Sequence, residues 1–294
     1  MRTSRQTPPK PGPTISSLTS PPAAIPTSLN PQYNFPYKRD SIAMRTLIVS
    51  DIHSNIVAFD AVIRDAKARG PVDIIWSLGD IVGYGPHPNE CLDTLRGFEH
   101  VAIAGNHDLG SIGAIYLGMF NEEAAIACEW NGEQLSPDNR AYLEGLPRVV
   151  QQGEFTLAHG SLRDPVWEYL IHEEAARASF ALLETPFLLI GHSHLPLIFE
   201  EIVSAPDAPP RVHSVGRLNH GSLIHLPDNV RLILNPGSVG QPRDGDPRAA
   251  YAILDTDART YTQFRVQYDV ESAQKNIRDA GLPLSLAERL AYGL

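Results

Sequence analysis

An α/β fold with two layers of mixed β-sheet and helices outside is what this sequence predicts, on three observations. In the first half, short apolar runs alternate with helical patterns, which implies parallel strands joined by crossovers. In the second half strands follow one another directly, which implies antiparallel pairing. Five separate apolar runs also end in Asp, Asn or His, several beside a glycine.

Taken in order, the first strand covers 46–50 and stops at Asp51. The helix after it, 55–69, collects Ile56, Val57, Val62, Ile63 and Ala66 on one face and ends at Gly70-Pro71. Strand 73–78 leads to helix 88–95, and strand 101–104 to helices 121–134 and 139–144. Strand 154–158 leads to helix 173–183, and strand 187–190 closes the alternation. Strands at 197–203, 230–234, 251–255 and 260–268 then precede helices at 271–279 and 284–292. Segment 203–228, with SAPDAPP and RLNHGS, reads as an extended hairpin or loop. There is no internal repeat.

The chain has 294 residues, 43% of them apolar, enough for a sizeable core. A net charge of −10 argues against a broad nucleic-acid surface or an anionic membrane partner. No apolar run approaches a membrane span. Cys91 and Cys128 lie far apart, which gives no disulfide framework and suits a reducing, cytoplasmic compartment. Residues 1–43 hold nine of the 25 prolines, with five basic residues and one acid, and read as a disordered tail. Met44 stands directly before the first strand, so the segment before it reads either as a solvated tail or as lying upstream of a natural start at Met44, and 44–294 reads as one domain that includes the C-terminal helices.

The strand ends carry the chemistry. They read Asp51-Ile52-His53, Gly79-Asp80, Gly105-Asn106-His107-Asp108, His159-Gly160-Ser161 and Gly191-His192-Ser193-His194. In α/β sheets the crevice beyond the strands' carboxyl ends is where ligands sit. On an extended chain residues i and i+2 point the same way, so Asp51 with His53, or His192 with His194, would each grip one ion. Either pair alone has a bland explanation, such as capping the next helix. Together they would bury several ionisable groups at one sheet edge, which is costly without a counter-ion. Asp51, His53, Asp80, Asn106, His159, His192 and His194 exceed the about four to six ligands of one transition ion. If Asp80 bridges, each of two ions receives about four protein ligands. Nitrogen and oxygen donors without thiolate suit manganese foremost, with iron, nickel, cobalt or zinc as alternatives. The other histidines, 87, 100, 172, 213, 220 and 225, read as surface or hydrogen-bonded residues.

These blocks, in this order, resemble the calcineurin-like metallophosphoesterase superfamily, whose pattern is D-x-H, G-D, G-N-H-[D/E], H and G-H-x-H. The stretches GDIVGYGPHPNECLDTLR and LNPGSVGQPRDGDPRAAYAILD are further similar to its small bacterial, YfcE-like phosphodiesterase branch. The resemblance implies a sandwich of two mixed sheets flanked by helices, the metallophosphoesterase fold. It assigns Asp51, His53, Asp80 and His194 to one ion, and Asp80, Asn106, His159 and His192 to a second. It places His107 off the metals, facing substrate. The expected nucleophile is a hydroxide bridging the two divalent ions, with His107 serving the leaving oxygen. The superfamily's protein phosphatases continue G-D-x-V-D-R-G, whereas this chain reads Gly79-Asp80-Ile81-Val82-Gly83-Tyr84-Gly85. The acid that orients the reactive histidine there is missing, so His107 must be oriented from elsewhere. Asp108 points away if the chain is extended.

Arg163, after His159-Gly-Ser, could hold a phosphate oxygen or pair with Asp164 or Glu168. Tyr84 and His87 could stack on a base, and Arg243 and Arg248 sit in a Gly/Asp-rich loop that alone reads as a hairpin turn and that the resemblance implies could be a substrate-side loop. Asn235-Pro-Gly-Ser238 could form a cleft rim. The expected activity is hydrolysis of a phosphodiester in a nucleotide-type small molecule. The alternatives are a phosphomonoesterase, a dinucleoside polyphosphate hydrolase or, remotely, a non-enzymatic metal-binding interaction scaffold. GHSHL lacks the last glycine of a nucleophile elbow, which excludes a serine hydrolase. A homo-oligomer is left open.

Overall fold

A computed structural model describes residues 44–203 and 210–294. The expected disordered tail over 1–43, and residues 204–209 of the 203–228 segment, lie outside the described residues.

The elements follow the chain as β1 (Arg45–Val49), α1 (Ile56–Ala68), β2 (Ile74–Ser77), α2 (Pro88–Arg96), β3 (His100–Ala102) and α3 (Asn106–Ser111). Next come α4 (Glu122–Gln134), α5 (Pro137–Glu144), β4 (Val149–Gln152), β5 (Phe155–Ala158), α6 (Glu173–Leu182) and β6 (Phe187–Leu189). The second half holds β7 (Pro196–Ile202), β8 (Arg211–Arg217), β9 (Leu223–His225), β10 (Arg231–Pro236), β11 (Ala249–Asp255) and β12 (Thr260–Val266). Helices α7 (Val270–Asp279) and α8 (Leu284–Glu288) end the chain. The strands form two six-stranded sheets, ordered β3-β2-β1-β11-β12-β9 and β4-β5-β6-β10-β7-β8. Both are mixed. In the first, β1, β2 and β3 are parallel and β11, β12 and β9 antiparallel. In the second, β5, β6 and β10 are parallel and the outer pairs antiparallel.

Strand alternation explains the layers. In β1, Ile48 faces inward and joins Trp76, Phe155, Leu157, Phe187, Leu189, Leu232 and Leu254 in the core between the sheets. Its neighbours Leu47 and Val49 face outward onto Phe59, Val62 and Ile63 of α1 and Leu92 and Leu95 of α2. The second sheet repeats the scheme, with Leu188 and Ile233 packed on Ala176 and Phe180 of α6. Central strands buried on both faces read as continuous apolar runs, and each buried Leu or Ile contributes roughly 1.5–3 kcal/mol.

Most expected elements are present, with Asn55 capping α1 through a hydrogen bond from the Ala58 amide (3.1 Å). Three strands go beyond the expected ones: β4, and β8 and β9 within the segment read as an extended hairpin or loop. They are short or polar, with half-exposed faces that carry little apolar signal. Helix α3 was also unexpected, because the residues after Gly105 read as a strand-end motif. The expected 284–292 helix is α8 followed by one 3-10 turn, Arg289–Ala291.

The fold leads to the site through parallel register. Val49 lies beside Ser77, and Ser77 beside Ala102, so β1, β2 and β3 finish at one edge. Leu157 lies beside Leu189, and β5 and β6 finish beside them in the other sheet. The loop after β10 is pinned to β12 by Arg265. That buried guanidinium pairs with Asp244 and donates to the Arg248 carbonyl (3.2 Å). Removing the cation leaves the Asp244 carboxylate buried, so Arg265→Met is expected to lower the unfolding free energy by about 3–5 kcal/mol. Denaturant titration measures this, and a loss under roughly 1 kcal/mol would show that the pin is not structural.

Candidate metal centre

The strands do not simply run into the site. Asp51, His53, Asp80, His192 and His194 all adopt left-handed backbone conformations, with φ of 53°, 50°, 53°, 62° and 58°. Such a conformation costs a non-glycine residue about 1 kcal/mol or more. Surrounding hydrogen bonds impose it. The Asp51 N–H donates to the Gly79 carbonyl (3.0 Å), and the His53 N–H to the Asp80 carbonyl (3.0 Å). From the other sheet, the Ser238 hydroxyl and Gly240 N–H donate to the Asp51 carbonyl (2.8 and 2.9 Å). The extended-chain reasoning for paired i, i+2 ligands is therefore corrected. Asp51 and His53 do share a donor set, but by a left-handed turn. His192 and His194 do not share one: they diverge, His194 toward Asp51 and His53, His192 toward Asp80 and His159.

Each of these four imidazoles has one ring nitrogen against a backbone carbonyl. His53 Nδ1 lies 3.2 Å from the Val82 oxygen, and His159 Nδ1 2.8 Å from that of Leu78. His192 Nε2 lies 3.1 Å from the Trp167 oxygen, and His194 Nδ1 2.5 Å from that of Gln241. A carbonyl only accepts, so these ring nitrogens are N–H donors and the opposite ones carry lone pairs when the ring is neutral. Those lone pairs converge. His53 Nε2 and His194 Nε2 are 3.1 Å apart. His194 Nε2 is 3.2 Å from Asp51 Oδ1, and His159 Nε2 is 3.2 Å from both Asp80 Oδ2 and Asn106 Oδ1.

The carboxylates are tethered in the same way. Asp51 Oδ2 accepts from the His192 N–H (3.2 Å), and Asp80 Oδ1 from the His107 N–H (2.8 Å). The remaining oxygens face the imidazoles, and Asp51 Oδ1, fully buried, has no hydrogen-bond partner. Donor atoms of Asp51, His53 and His194 lie within 4.8 Å of one another, as do those of Asp80, His159 and His192. Asp80 Oδ2 is 3.7 Å from His53 Nε2, so its carboxylate stands between the two sets. Buried acceptors facing acceptors are unfavourable alone and are satisfied by cations. The donor set fits divalent metal ions.

Electrostatics agree for three of the four rings. Burial lowers His53 and His194, and takes His192 to about 3, so these rings are neutral at pH 7 and able to ligate. Burial pushes Asp51 and Asp80 up, but His194 beside Asp51 and His159 beside Asp80 override it and hold both carboxyls below their usual range. His159 alone moves up. Burial opposes this, but the Asp80 carboxylate dominates and raises it to about 9.

Close backbone approach explains two glycines. A Cβ on Gly105 would lie 2.1 Å from Asp80 Oδ1. Gly79, at φ +92°, would place one 2.8 Å from His159 Nδ1.

His107 is buried beside this cluster. Its ring packs on Tyr84 (4.3 Å between centroids), His53 (4.8 Å) and Phe120 (5.1 Å). Its donor atom also lies within 4.8 Å of those of His53 and Asp80. Asp108 does not orient it, but the expected extended geometry is not the reason: residue 108 is in α3. Its carboxylate accepts from Gly105 N–H (2.9 Å) and Val82 N–H (3.0 Å), bracing the two loops. Tyr84 lies against His107, and its hydroxyl accepts from Arg243 (3.2 Å). Arg243 also donates to Gln241 Oε1 (2.9 Å). Among the described residues, no carboxylate pairs with it. Arg163 differs: its side chain is 50% exposed and pairs with Glu168, the surface alternative. Asn235 and Ser238 brace the site from behind rather than forming a rim, with Asn235 donating to the Gly191 carbonyl (2.7 Å).

Sequence reasoning missed Asn131 and Cys128, both on the buried side of α4. Asn131 Oδ1 accepts from Ser54 Oγ (2.6 Å) and the Gly83 N–H (3.1 Å), and its Nδ2 donates to the Gly85 carbonyl (3.0 Å). Cys128 Sγ sits 3.3 Å from His107 Nδ1. It also missed Tyr169, which stacks on His192 at 4.1 Å between centroids while 48% exposed. A polar Asn within an apolar helix face was the one available signal.

Comparison with known proteins places this geometry. Residues 44–259 match the calcineurin-like phosphoesterase superfamily domain. The chain belongs to that superfamily, a class of phosphoester hydrolases. A metallophosphoesterase from Sphaerobacter thermophilus, known by crystal structure, is 43% identical, with a TM-score of 0.74 over 86% of this chain and 100% of its own. An uncharacterized protein of Methanocaldococcus jannaschii is 35% identical over 251 residues, 84% of this chain and 97% of the relative. A symmetrical bis(5′-nucleosyl)-tetraphosphatase of Vibrio cholerae is 26% identical over 186 residues, 60% of this chain and 64% of its own length.

Metal uptake is expected to release protons. His159 holds a proton at pH 7, since its value lies near 9, and an ion among Asp80, His159 and His192 must displace it. Affinity should therefore rise with pH up to about 9. Calorimetry in buffers of different ionisation enthalpy should find about one proton or more released at pH 7. Binding with no proton release would contradict the assignment.

Proposed function

We propose that this protein is a dinuclear metal-dependent phosphoesterase that hydrolyses a phosphodiester of a nucleotide-type small molecule. The observation that carries this reading is the pair of donor sets joined at Asp80, with His107 and an uncompensated Arg243 beside them. Asp51, His53, Asp80 and His194 would hold one ion, and Asp80, Asn106, His159 and His192 the other. When bound, two divalent cations supply charge that neutralises phosphoryl oxygens and lower the pKa of water so that hydroxide is available near neutral pH. Manganese is favoured by the nitrogen and oxygen donors. Two free, buried cysteines accord with a cytoplasmic setting. Among the described residues, no helix is long and apolar enough to cross a membrane.

The chain's own groups do the rest. Burial excludes water from the cluster and holds His107 neutral, down to about 4, so it acts as a hydrogen-bond donor to the leaving oxygen rather than as a cation. Arg243 binds a non-bridging phosphoryl oxygen and is anchored for that by Tyr84 and Gln241. Arg243 adds one positive charge to that of the two ions, and the diester reading rests on the resemblance of the Gly79–Arg96 and Leu234–Asp255 stretches to the YfcE-like phosphodiesterase branch. Arg289, the other guanidinium near Tyr84, already pairs with Glu123 (3.5 Å). The Vibrio relative's named activity keeps dinucleoside polyphosphate hydrolysis as the second reading.

A metal-reconstituted panel tests this: p-nitrophenyl phosphate, its bis-ester, cyclic nucleotides and dinucleoside polyphosphates. The expected result is a kcat/KM for a diester at least about tenfold above the monoester, roughly 1.4 kcal/mol of discrimination. Monoester preference would overturn the diester assignment. His107→Ala should keep its metals and lose about 10²–10⁴-fold in turnover. Wild-type rates in that variant would remove His107 from the mechanism.

A further inference from the structure

We propose that Cys128 is a positioning residue for His107: its thiol donates to Nδ1 and fixes the imidazole as the tautomer that carries its proton on Nε2. The inference rests on the role given to His107 above and deepens it.

The contact is specific. Sγ lies 3.3 Å from Nδ1 and 3.9 Å from the His107 carbonyl, with the Ser111 hydroxyl a further hydrogen-bonding neighbour of the thiol. A neutral ring nitrogen is a strong acceptor and sulfur a weak one, so S–H to Nδ1 is the favoured direction. Burial pushes the thiol well above its ordinary range, which keeps the proton on sulfur. Among the described residues, no carboxylate pairs with that edge. Asp108, next in sequence, is committed to the Gly105 and Val82 amides. Gly83 closes the remaining approach: a Cβ there would lie 2.6 Å from Nδ1. Helix α4 comes near enough because Gly110 of α3 has no side chain, and a Cβ there would already be 3.3 Å from Sγ.

The tautomer resolves a difficulty in the site. One ring nitrogen of His107 lies within 4.8 Å of donor atoms of His53 and Asp80, and with Nδ1 taken by the thiol a bare lone pair on Nε2 would make His107 another ligand. With the proton on Nε2 it cannot ligate through that atom and becomes a donor instead. A thiol achieves this without the basicity that a carboxylate partner would add.

The test uses the full chain, histidine-labelled with ¹⁵N and loaded with zinc for diamagnetic spectra, with His107→Gln to assign the ring signals. Long-range proton–nitrogen spectra should show His107 protonated on Nε2 in the wild type and in Cys128→Ser. In Cys128→Ala that preference should be lost, with turnover of the best ester down about five- to tenfold at unchanged KM, and Ser should restore most of it. An Nδ1-protonated ring in the wild type overturns the proposal without any variant, so a misfolded Ala variant does not shield it. An unchanged tautomer in a folded Cys128→Ala overturns it as well. Failure of the His107 role would look different: His107→Ala would keep full activity while the tautomer still followed residue 128.

Discussion

Everything at this site depends on four backbone carbonyls. Those of Val82, Leu78, Trp167 and Gln241 each take the N–H of one imidazole and so turn its opposite nitrogen inward. The result is a buried cluster of inward-turned ring nitrogens and carboxylate oxygens in which Asp51 Oδ1 has no hydrogen-bond partner. Cations are the simplest groups that satisfy it. The carbonyl bonds also restrict ring rotation, so the donors are arranged before any ion arrives, and ordering them then costs less.

This preorganisation is bought with backbone strain. Five of the proposed ligands are left-handed, at about 1 kcal/mol or more each. The two-sheet fold makes that tolerable. Strands β1, β2, β5 and β6 are buried on both faces by apolar packing, and their loops are tied across the sheets by amide–carbonyl bonds. The stable layers and the strained edge are therefore one design: the core holds the strand ends where loops must bend sharply to reach one another.

The layered fold was legible because its signals are local. Apolar runs of strand length, a helical face at 55–69 and glycines beside acids all follow from residues near in sequence. The candidate ligands were legible because five strand ends repeat the same chemistry. What was hidden depends on tertiary approach. The left-handed turns cannot be read from Asp51 or His192, which are not glycines. Helix α3 is six residues long and looks like a strand end. Cys128 and Asn131 acquire meaning only when α4 packs against the loop that follows Asp80. Arg163 and Arg243 looked alike in sequence, and only the fold separates them, giving one a surface glutamate and the other a place beside the cluster.

The most direct test of the account is anomalous diffraction from crystals of the manganese-loaded protein. Two peaks are predicted, one among Asp51, His53 and His194 and the other among Asp80, Asn106, His159 and His192, with the Asp80 carboxylate between them. A fully loaded crystal with one peak or none, and the same side-chain arrangement, would contradict the claim that a pair of cations completes this site.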